Sequence, residues 1–410
     1  MMQREAIYVH IPFCKQKCLY CDFPSYAGFP CETMHDYAKA VVKEIHLRIL
    51  EAKNVKPDAT IFFGGGTPSL LPIEDIKLIV QGLKETGFWK NPREATIEVN
   101  PGTADLKKLQ ALRELGFDRI SFGVQSLNDG ELKAIGRIHT AREALKAIYM
   151  AQAAGFNRIN ADVMYGLPGQ SLESLNKTLE DILATGIEHI SAYSLILEEG
   201  TPLENLVASG KIFLPEEDAT CDMYDFVQKF LADHGYKRYE ISNYALAHGE
   251  SEHNKVYWAY HPYIGFGAAA TSFTGEERFT ATRDVKKYLQ LVASAKEEKF
   301  YISSSYSTEN FQEEENLPII YNNEEIYEIE RLSKDELVAE FMFMGLRTVR
   351  GANLSEAKVR FGVDVLQEFS HEIDPFIKDE LLEYDAKTNY LRLTQKGMAV
   401  GNLIFEAFIK

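Results

Sequence analysis

Three cysteines are the residues of this chain best suited to chemistry. They stand in Tyr8-Val-His-Ile-Pro-Phe-Cys14-Lys-Gln-Lys-Cys18-Leu-Tyr-Cys21-Asp-Phe, directly after a short apolar, strand-like run. The Cys-x3-Cys-x2-Cys spacing sets three thiolates on one tight loop. A [4Fe–4S] cube has four irons and is normally held by four thiolates, so three leave one iron open to a small molecule. A structural zinc site would want four ligands, often two distant Cys-x2-Cys pairs. No second pair exists, because Cys31 and Cys221 each stand alone. Isolated thiols of that kind are expected to be packing residues.

The elements that must position such a loop read as alternating strands and helices. Strand-like runs fall at Ala6–Ile11, Ala59–Phe63, Ala95–Val99, Arg119–Val124, Arg158–Met164 and His189–Leu195. Amphipathic stretches lie between them at Met34–Ala52, Ile73–Thr86, Asp105–Leu115, Ala141–Ala154 and Ser171–Thr185. Glycines 87, 116, 155 and 186 follow four of these stretches, as left-handed C-caps do. Six such alternations predict an α/β fold with a parallel sheet, closed as a partial barrel or left open. Active groups in such folds collect at the C-terminal strand ends. The cysteine loop falls there, as do Phe63-Gly64-Gly65-Gly66-Thr67-Pro68, Glu98 in Ile97-Glu-Val-Asn-Pro101, Gln125 in Ser121-Phe-Gly-Val-Gln-Ser126, Arg137 after it, and Asp162 before Met164-Tyr-Gly-Leu-Pro-Gly169. Three successive glycines let a backbone approach a ligand closely. Taken singly, each polar residue could equally be a solvated group at a strand end.

Composition narrows the partners. The chain has 410 residues, 45% hydrophobic and 26% charged, which suits an ordinary globular protein of two or three domains. A net charge of −17 argues against nucleic acid as a general partner, since that affinity rests on Lys and Arg neutralising phosphates. No basic and apolar leader opens the sequence, and no uninterrupted apolar run is long enough to span a bilayer. Clustered reduced thiols predict a cytoplasmic setting.

The cysteine spacing is the signature of the radical SAM superfamily, which the chain resembles. The resemblance implies that S-adenosylmethionine (SAM) chelates the open iron, and that one electron from the cluster cleaves its sulfonium to a 5′-deoxyadenosyl radical. It makes the Gly64–Pro68 turn the motif that meets the methionyl amino group. Tyr8 through Cys21, Gly64–Pro68, Glu98, Gln125, Arg137, Asp162 and Tyr165-Gly-Leu-Pro168 further resemble the coproporphyrinogen III oxidase-like branch, over nearly the whole chain. By that resemblance Cys14, Cys18 and Cys21 hold the cluster, and Cys31 is set aside because a fourth thiolate would close the open iron. Tyr8, Tyr20, Gly66, Thr67, Glu98, Gln125, Arg137, Asp162, Ile196 and Thr271 are the implied SAM contacts. Carboxylates there can accept from ribose hydroxyls or the amino group, and Arg137 can pair with the methionyl carboxylate.

Within the branch, the oxygen-independent coproporphyrinogen III oxidases differ from the HemW heme chaperones. The oxidases carry another cysteine two residues after the triplet, where this chain has Phe23, and a longer arm before it. His253-Asn-Lys-Val-Tyr-Trp258 resembles the His-Asn-x-x-Tyr-Trp motif of HemW proteins. The balance favours HemW, with the oxidase, decarboxylating porphyrinogen propionates, as the alternative. The resemblance implies heme as cargo, a heme-accepting protein, an electron donor of the flavodoxin or ferredoxin type, and possible dimerisation. His253, Asn254, Tyr257 and Trp258 are then candidate heme contacts, since imidazole can ligate iron and the rings offer flat apolar faces. The bland reading is a histidine beside ordinary core aromatics. His10 and His261 are further candidate ligands. In one respect the chain departs from the pattern: Gly265-Phe-Gly-Ala-Ala-Ala-Thr271-Ser272 lacks the histidine that HemW proteins commonly carry in this run.

The expected organisation is a partial (β/α)6 radical SAM barrel over 1–235 and a connecting region over 236–332. A small winged-helix-like unit over 333–410 completes an α+β C-terminal region. The connecting region includes an acidic stretch at 296–332. Helices are expected at Glu216–His234, Ser333–Arg347, Ser355–Phe361 and Phe376–Leu382, with a hairpin around Tyr384–Asn389, and a docking or lid role for the C-terminal unit.

Overall fold

The computed structural model describes residues 3–295, 302–303, 319–320 and 326–409. Most of the expected acidic stretch at 296–332 lies outside the described residues. The principal strands, in chain order, are β1 (Arg4–Ile11), β2 (Val55–Gly65), β3 (Ala95–Val99), β4 (Arg119–Gln125), β5 (Arg158–Tyr165), β6 (His189–Ser194), β7 (Lys237–Arg238), β8 (Asn243–Ala245), β9 (Tyr263–Phe266), β10 (Thr271–Phe273), β11 (Glu277–Ala281), β12 (Tyr327–Arg331), β13 (Ala352–Asn353), β14 (Leu382–Asp385) and β15 (Tyr390–Leu393). The principal helices are α1 (Cys31–Leu47), α2 (Ile73–Thr86), α3 (Leu106–Leu115), α4 (Ala141–Ala153), α5 (Leu172–Leu183), α6 (Glu217–Asp233), α7 (Glu252–Trp258), α8 (Val285–Ser294), α9 (Lys334–Leu346), α10 (Leu354–Phe361) and α11 (Ser370–Lys378). They group into two compact units. One comprises Met1–Lys17, Asp22–Asp118 and Pro262–Glu330; the other comprises Cys18–Cys21, Arg119–His261 and Arg331–Lys410.

In the first unit the strand order is β12-β11-β10-β9-β1-β2-β3. Strands β9, β1, β2 and β3 are parallel, while β10 and β11 turn back antiparallel. Strand β1 carries Ala6, Ile7, Val9 and Ile11, all fully buried, the apolar run of a strand covered on both faces. Its register against β2 pairs His10 with Gly64 and Ile11 with Gly65. That pairing delivers the chain entering the cysteine loop alongside the glycine turn. Helix α1 covers the sheet with Tyr37, Ala38, Val41 and Ile45, an i, i+4, i+8 stripe.

The amphipathic pattern predicted a helix from Met34 through Ala52. The helix instead runs Cys31–Leu47, and a 3₁₀ segment follows over Ile49–Asn54. The reason is charge. Arg48 is fully buried and donates to Glu51, to Glu44 and to the carbonyl of Gly265 at 2.6 Å. Glu44 also receives the Gly267 N–H and the hydroxyls of Tyr288 and Tyr327. Turning Arg48 and Glu51 inward breaks the helical stripe. The same cluster clamps the run Gly265–Ser272, which forms β9 and β10. At Gly265 an added Cβ would collide with the Thr271 carbonyl, so only glycine fits.

In the second unit β4, β5 and β6 are parallel, and β8 and β7 continue the sheet antiparallel. Helices α4 and α5 start at capping boxes on Thr140 and Ser171. The C-terminal stretch holds α9, α10 and α11 and a small sheet ordered β13-β15-β14. Helices followed by a hairpin match the winged-helix-like pattern. It docks on the preceding segment: Tyr260 donates to Glu340 at 2.7 Å, and Arg360 donates to the Tyr260 carbonyl at 2.8 Å. The helix expected at Phe376–Leu382 is displaced to Ser370–Lys378, because Glu380 takes a positive φ of 60° and Leu382 already begins β14. Among the described residues, no helix is long and apolar enough to cross a membrane.

Replacing Arg48 by Met would leave Glu44 buried without its cation and Glu51 with Arg4 alone, 2.8 Å away. We expect a loss of about 3–5 kcal/mol, read as a lowered denaturant midpoint of the full chain. An unchanged midpoint would show that the cluster contributes nothing net.

Candidate functional site

Within the first unit lie Cys14, the glycine turn and the end of β3. A Cβ on Gly66 would stand 2.8 Å from the Phe13 carbonyl oxygen and 3.0 Å from Cys14 Sγ. At Gly65 (φ +117°) it would meet the His10 ring at 2.6 Å, and at Gly64 it would crowd Phe62, Tyr8 and Glu98. Three successive positions thus have no room for a side chain. The Gly65 N–H donates to Glu98 Oε2 at 3.1 Å, which seats that carboxylate on the turn. Thr67 is buried and donates to Cys14 Sγ at 3.6 Å, while Asn100 Nδ2 donates to Thr67 Oγ1 at 2.7 Å. Asn100 thereby fills the hydroxyl's acceptor side and leaves its proton for the sulfur. Sequence reasoning missed Asn100, although it shares a strand face with Glu98 by the two-residue alternation.

Tyr8 is oriented by His10. The carbonyl of Pro24 can only accept, so His10 Nε2, 2.9 Å away, carries the ring proton. Burial keeps His10 below its ordinary pKa and hence neutral. Its Nδ1 therefore accepts from the Tyr8 hydroxyl at 2.9 Å. His10, named above as a further candidate ligand, is buried with both ring nitrogens engaged.

The second unit by itself carries Cys18, Tyr20, Cys21 and the ends of β4, β5 and β6. Arg137 donates to Cys18 Sγ at 3.4 Å and to the Gly123 carbonyl at 2.5 Å. Burial works against its charge, but the Cys18 sulfur and Tyr20 more than offset this and raise its pKa. It was expected at the methionyl carboxylate, and here it lies against a cysteine. Tyr20 packs on Ile135, Met164 and Leu167, and burial pushes its phenol well up. Gln125 ends β4 with φ of 68° and accepts from the Tyr193 hydroxyl at 3.1 Å. Burial raises the Asp162 carboxyl, opposed by the Asn160 amide, which donates to it at 2.7 Å. Asn160, His189, Ser191 and Tyr193 form a polar face on β5 and β6 that the apolar reading of these strands passed over; their alternate spacing was its signal.

The remaining candidates are placed as follows. His253 is buried on α7, with Nε2 3.0 Å from the Tyr257 hydroxyl. Asn254 lies in the first turn, its N–H capped by Ser251 Oγ. Trp258 lies under the Arg347 guanidinium, 4.9 Å from the ring centroid, with its indole Nε1 buried and unbonded. His261 pairs with Glu356 at 3.6 Å. Ile196 is exposed just beyond β6, and Thr271 Oγ1 faces Thr280 Oγ1 at 3.0 Å. Cys31 and Cys221 are corrected: both are exposed rather than packed.

The donor set suits an iron–sulfur cluster. The cysteines are free thiols, O–H and N–H donors address two of them, and glycine backbone lies close against the first. Among the described residues no three His, Cys, Asp or Glu side chains are gathered to hold a single metal ion. A cubane instead binds each thiolate at a separate iron.

Comparison with known proteins agrees with this chemistry. A sequence model of the Radical SAM superfamily matches residues 8–182, and one of the HemN C-terminal domain matches residues 332–400. Fold and site thus define the class of radical SAM proteins with a HemN-type C-terminal domain. The heme chaperone HemW of Bacillus subtilis (strain 168) is 33% identical over 410 residues, covering 99% of both chains. That of Lactococcus lactis (strain IL1403) is 32% identical over 412 residues, covering 100% of this chain and 98% of its own. The solved coproporphyrinogen III oxidase (HemN) of Escherichia coli, a radical SAM enzyme, covers 99% of this chain and 90% of its own with a TM-score of 0.78. At 22% identity that likeness shows the fold. The chain belongs to the HemW family of the radical SAM superfamily.

Thr67→Val keeps the side-chain volume and removes the donor to Cys14. Because hydrogen bonds to cluster sulfurs help set the potential, the reconstituted variant should retain its iron but be harder to reduce in an anaerobic redox titration. An identical potential would show that the contact does not reach the cluster.

Proposed function

We propose that this chain binds heme and passes it to acceptor proteins, and that it does so as a [4Fe–4S] protein charged with SAM. The observation that carries this reading is end-to-end similarity to HemW heme chaperones, 99% of each chain in the first comparison. Phe23, where the oxidases carry a further cysteine, supports it. Cys14, Cys18 and Cys21 hold the cluster in this reading. When bound, the cluster supplies one electron at a time beside SAM. Thr67 and Arg137 stabilise negative charge on the sulfurs of Cys14 and Cys18. Glu98, fixed by the Gly65 amide, and Asp162, fixed by Asn160, offer acceptors to the ligand's hydroxyl and amino groups. Tyr8, Tyr20, Gly66, Gln125, Ile196 and Thr271 complete the proposed SAM contacts. A heme-accepting protein and an electron donor of the flavodoxin or ferredoxin type are the partners this reading requires.

Helix α7 is the proposed heme contact, with His253 as axial ligand and Asn254, Tyr257 and Trp258 beside it. The His253–Tyr257 hydrogen bond must open before Nε2 can meet iron. Hemin titrated into the anaerobically reconstituted full chain should give a saturable Soret shift. His253→Ala should weaken it and leave the cluster absorbance intact, whereas Tyr257→Phe, which deletes the hydroxyl hydrogen-bonded to Nε2, should tighten it. No saturable shift in the wild type, or conversion of coproporphyrinogen to protoporphyrinogen with SAM and reductant, would defeat the chaperone reading.

A further inference from the structure

A buried polar layer crosses β4, β5 and β6 beneath Asp162. Ser121, Asn160 and His189 stand side by side in the strand register. Asn160 Nδ2 lies 2.7 Å from Asp162 Oδ1 and 2.8 Å from Ser121 Oγ. A carboxylate only accepts, so this end of the amide is its nitrogen and the other its oxygen. That oxygen faces His189 Nδ1 at 2.6 Å, so Nδ1 carries the histidine proton. Burial, with Arg119 and Arg158 nearby, holds the His189 pKa far down and the ring neutral. Its Nε2 is then a lone pair, 2.8 Å from the Tyr239 hydroxyl, which must donate. The Tyr239 oxygen in turn accepts from the Ser251 N–H at 3.2 Å. Ser251 is the N-cap of α7, its Oγ accepting from Asn254 N. Every donor in this series points the same way, from the start of α7 to the carboxylate. Reversing any one group would strand a buried donor or acceptor, which costs far more inside a protein than in water.

We infer that His189 and Tyr239 are positioning residues that tie the Asp162 carboxylate to the N-cap of helix α7, so that a ligand taken up at Asp162 is felt by the His253–Trp258 helix. The inference rests on the proposed SAM contact at Asp162. A ligand that draws on the carboxylate strengthens or weakens the Asn160 bond, and each partner down the series adjusts. Because coupling is reciprocal, heme at α7 would alter SAM affinity by the same factor.

The test is hydrogen–deuterium exchange of the full chain, cluster-loaded, with and without SAM, read on peptides covering Ser251–Trp258. In wild type SAM should change exchange there by about fivefold or more. Tyr239→Phe deletes the central hydroxyl. His189→Asn keeps a donor for Asn160 but cannot reach Tyr239. In both variants SAM should still bind while its effect on α7 disappears. A merely structural role would shift exchange equally with and without SAM, leaving the ratio intact, and would overturn the inference. SAM binding with no change at α7 in wild type would also overturn it, and failure of SAM uptake would overturn it together with the cofactor reading. If Tyr239→Phe does not fold, His189→Asn decides. Heme plays no part in this measurement, so a failed hemin titration is told apart from a failed relay.

Discussion

Close approach is the constraint on which the site depends. At Gly64, Gly65 and Gly66 the space that a side chain would need is already filled by Phe62, the His10 ring, and the Phe13 carbonyl with the Cys14 sulfur. The backbone is therefore in contact with what would hold a metal cluster. This requires β1 and β2 to be parallel and in their particular register, since a slip of one residue would turn every side chain to the opposite face. It also requires His10 to be neutral and fixed, because its ring is the floor of the turn and orients Tyr8.

Behind the first sheet, the Arg48 cluster does a different job. Buried ion pairs seldom add net stability, but breaking one partner away is severely unfavourable. Arg48, Glu44 and Glu51 therefore act mainly on shape. They stop α1 at Leu47 and seize the Gly265–Ser272 run by its carbonyl, amide and hydroxyl. The absence of the histidine common in this run leaves that clamp untouched, because its contacts are mostly to backbone.

Much of this was legible in the sequence. Strands β1 to β6 announced themselves by apolar runs and glycine-closed helices, whereas the short parallel strand β9 did not, and the cysteine spacing named its own chemistry. What stayed hidden was polarity within apolar elements. Arg48 and Glu51 look like the solvent face of an amphipathic helix until their burial is known. Asn160 and His189 sit in runs whose neighbours are apolar, and nothing local tells a buried network from a surface stripe. Arg137 was singled out as a cation for a carboxylate, yet its contacts here include the Cys18 sulfur and the Gly123 carbonyl, which only three-dimensional placement reveals. His253 shows the converse: a motif can be legible while its side chain is turned inward.

Gln125 carries one more consequence. It holds a left-handed backbone that glycine would adopt freely, at a penalty of about 1–2 kcal/mol for an ordinary residue. For the backbone alone, glycine would be the less strained residue here. What the carboxamide offers that glycine could not is an acceptor, and the Tyr193 hydroxyl takes it up.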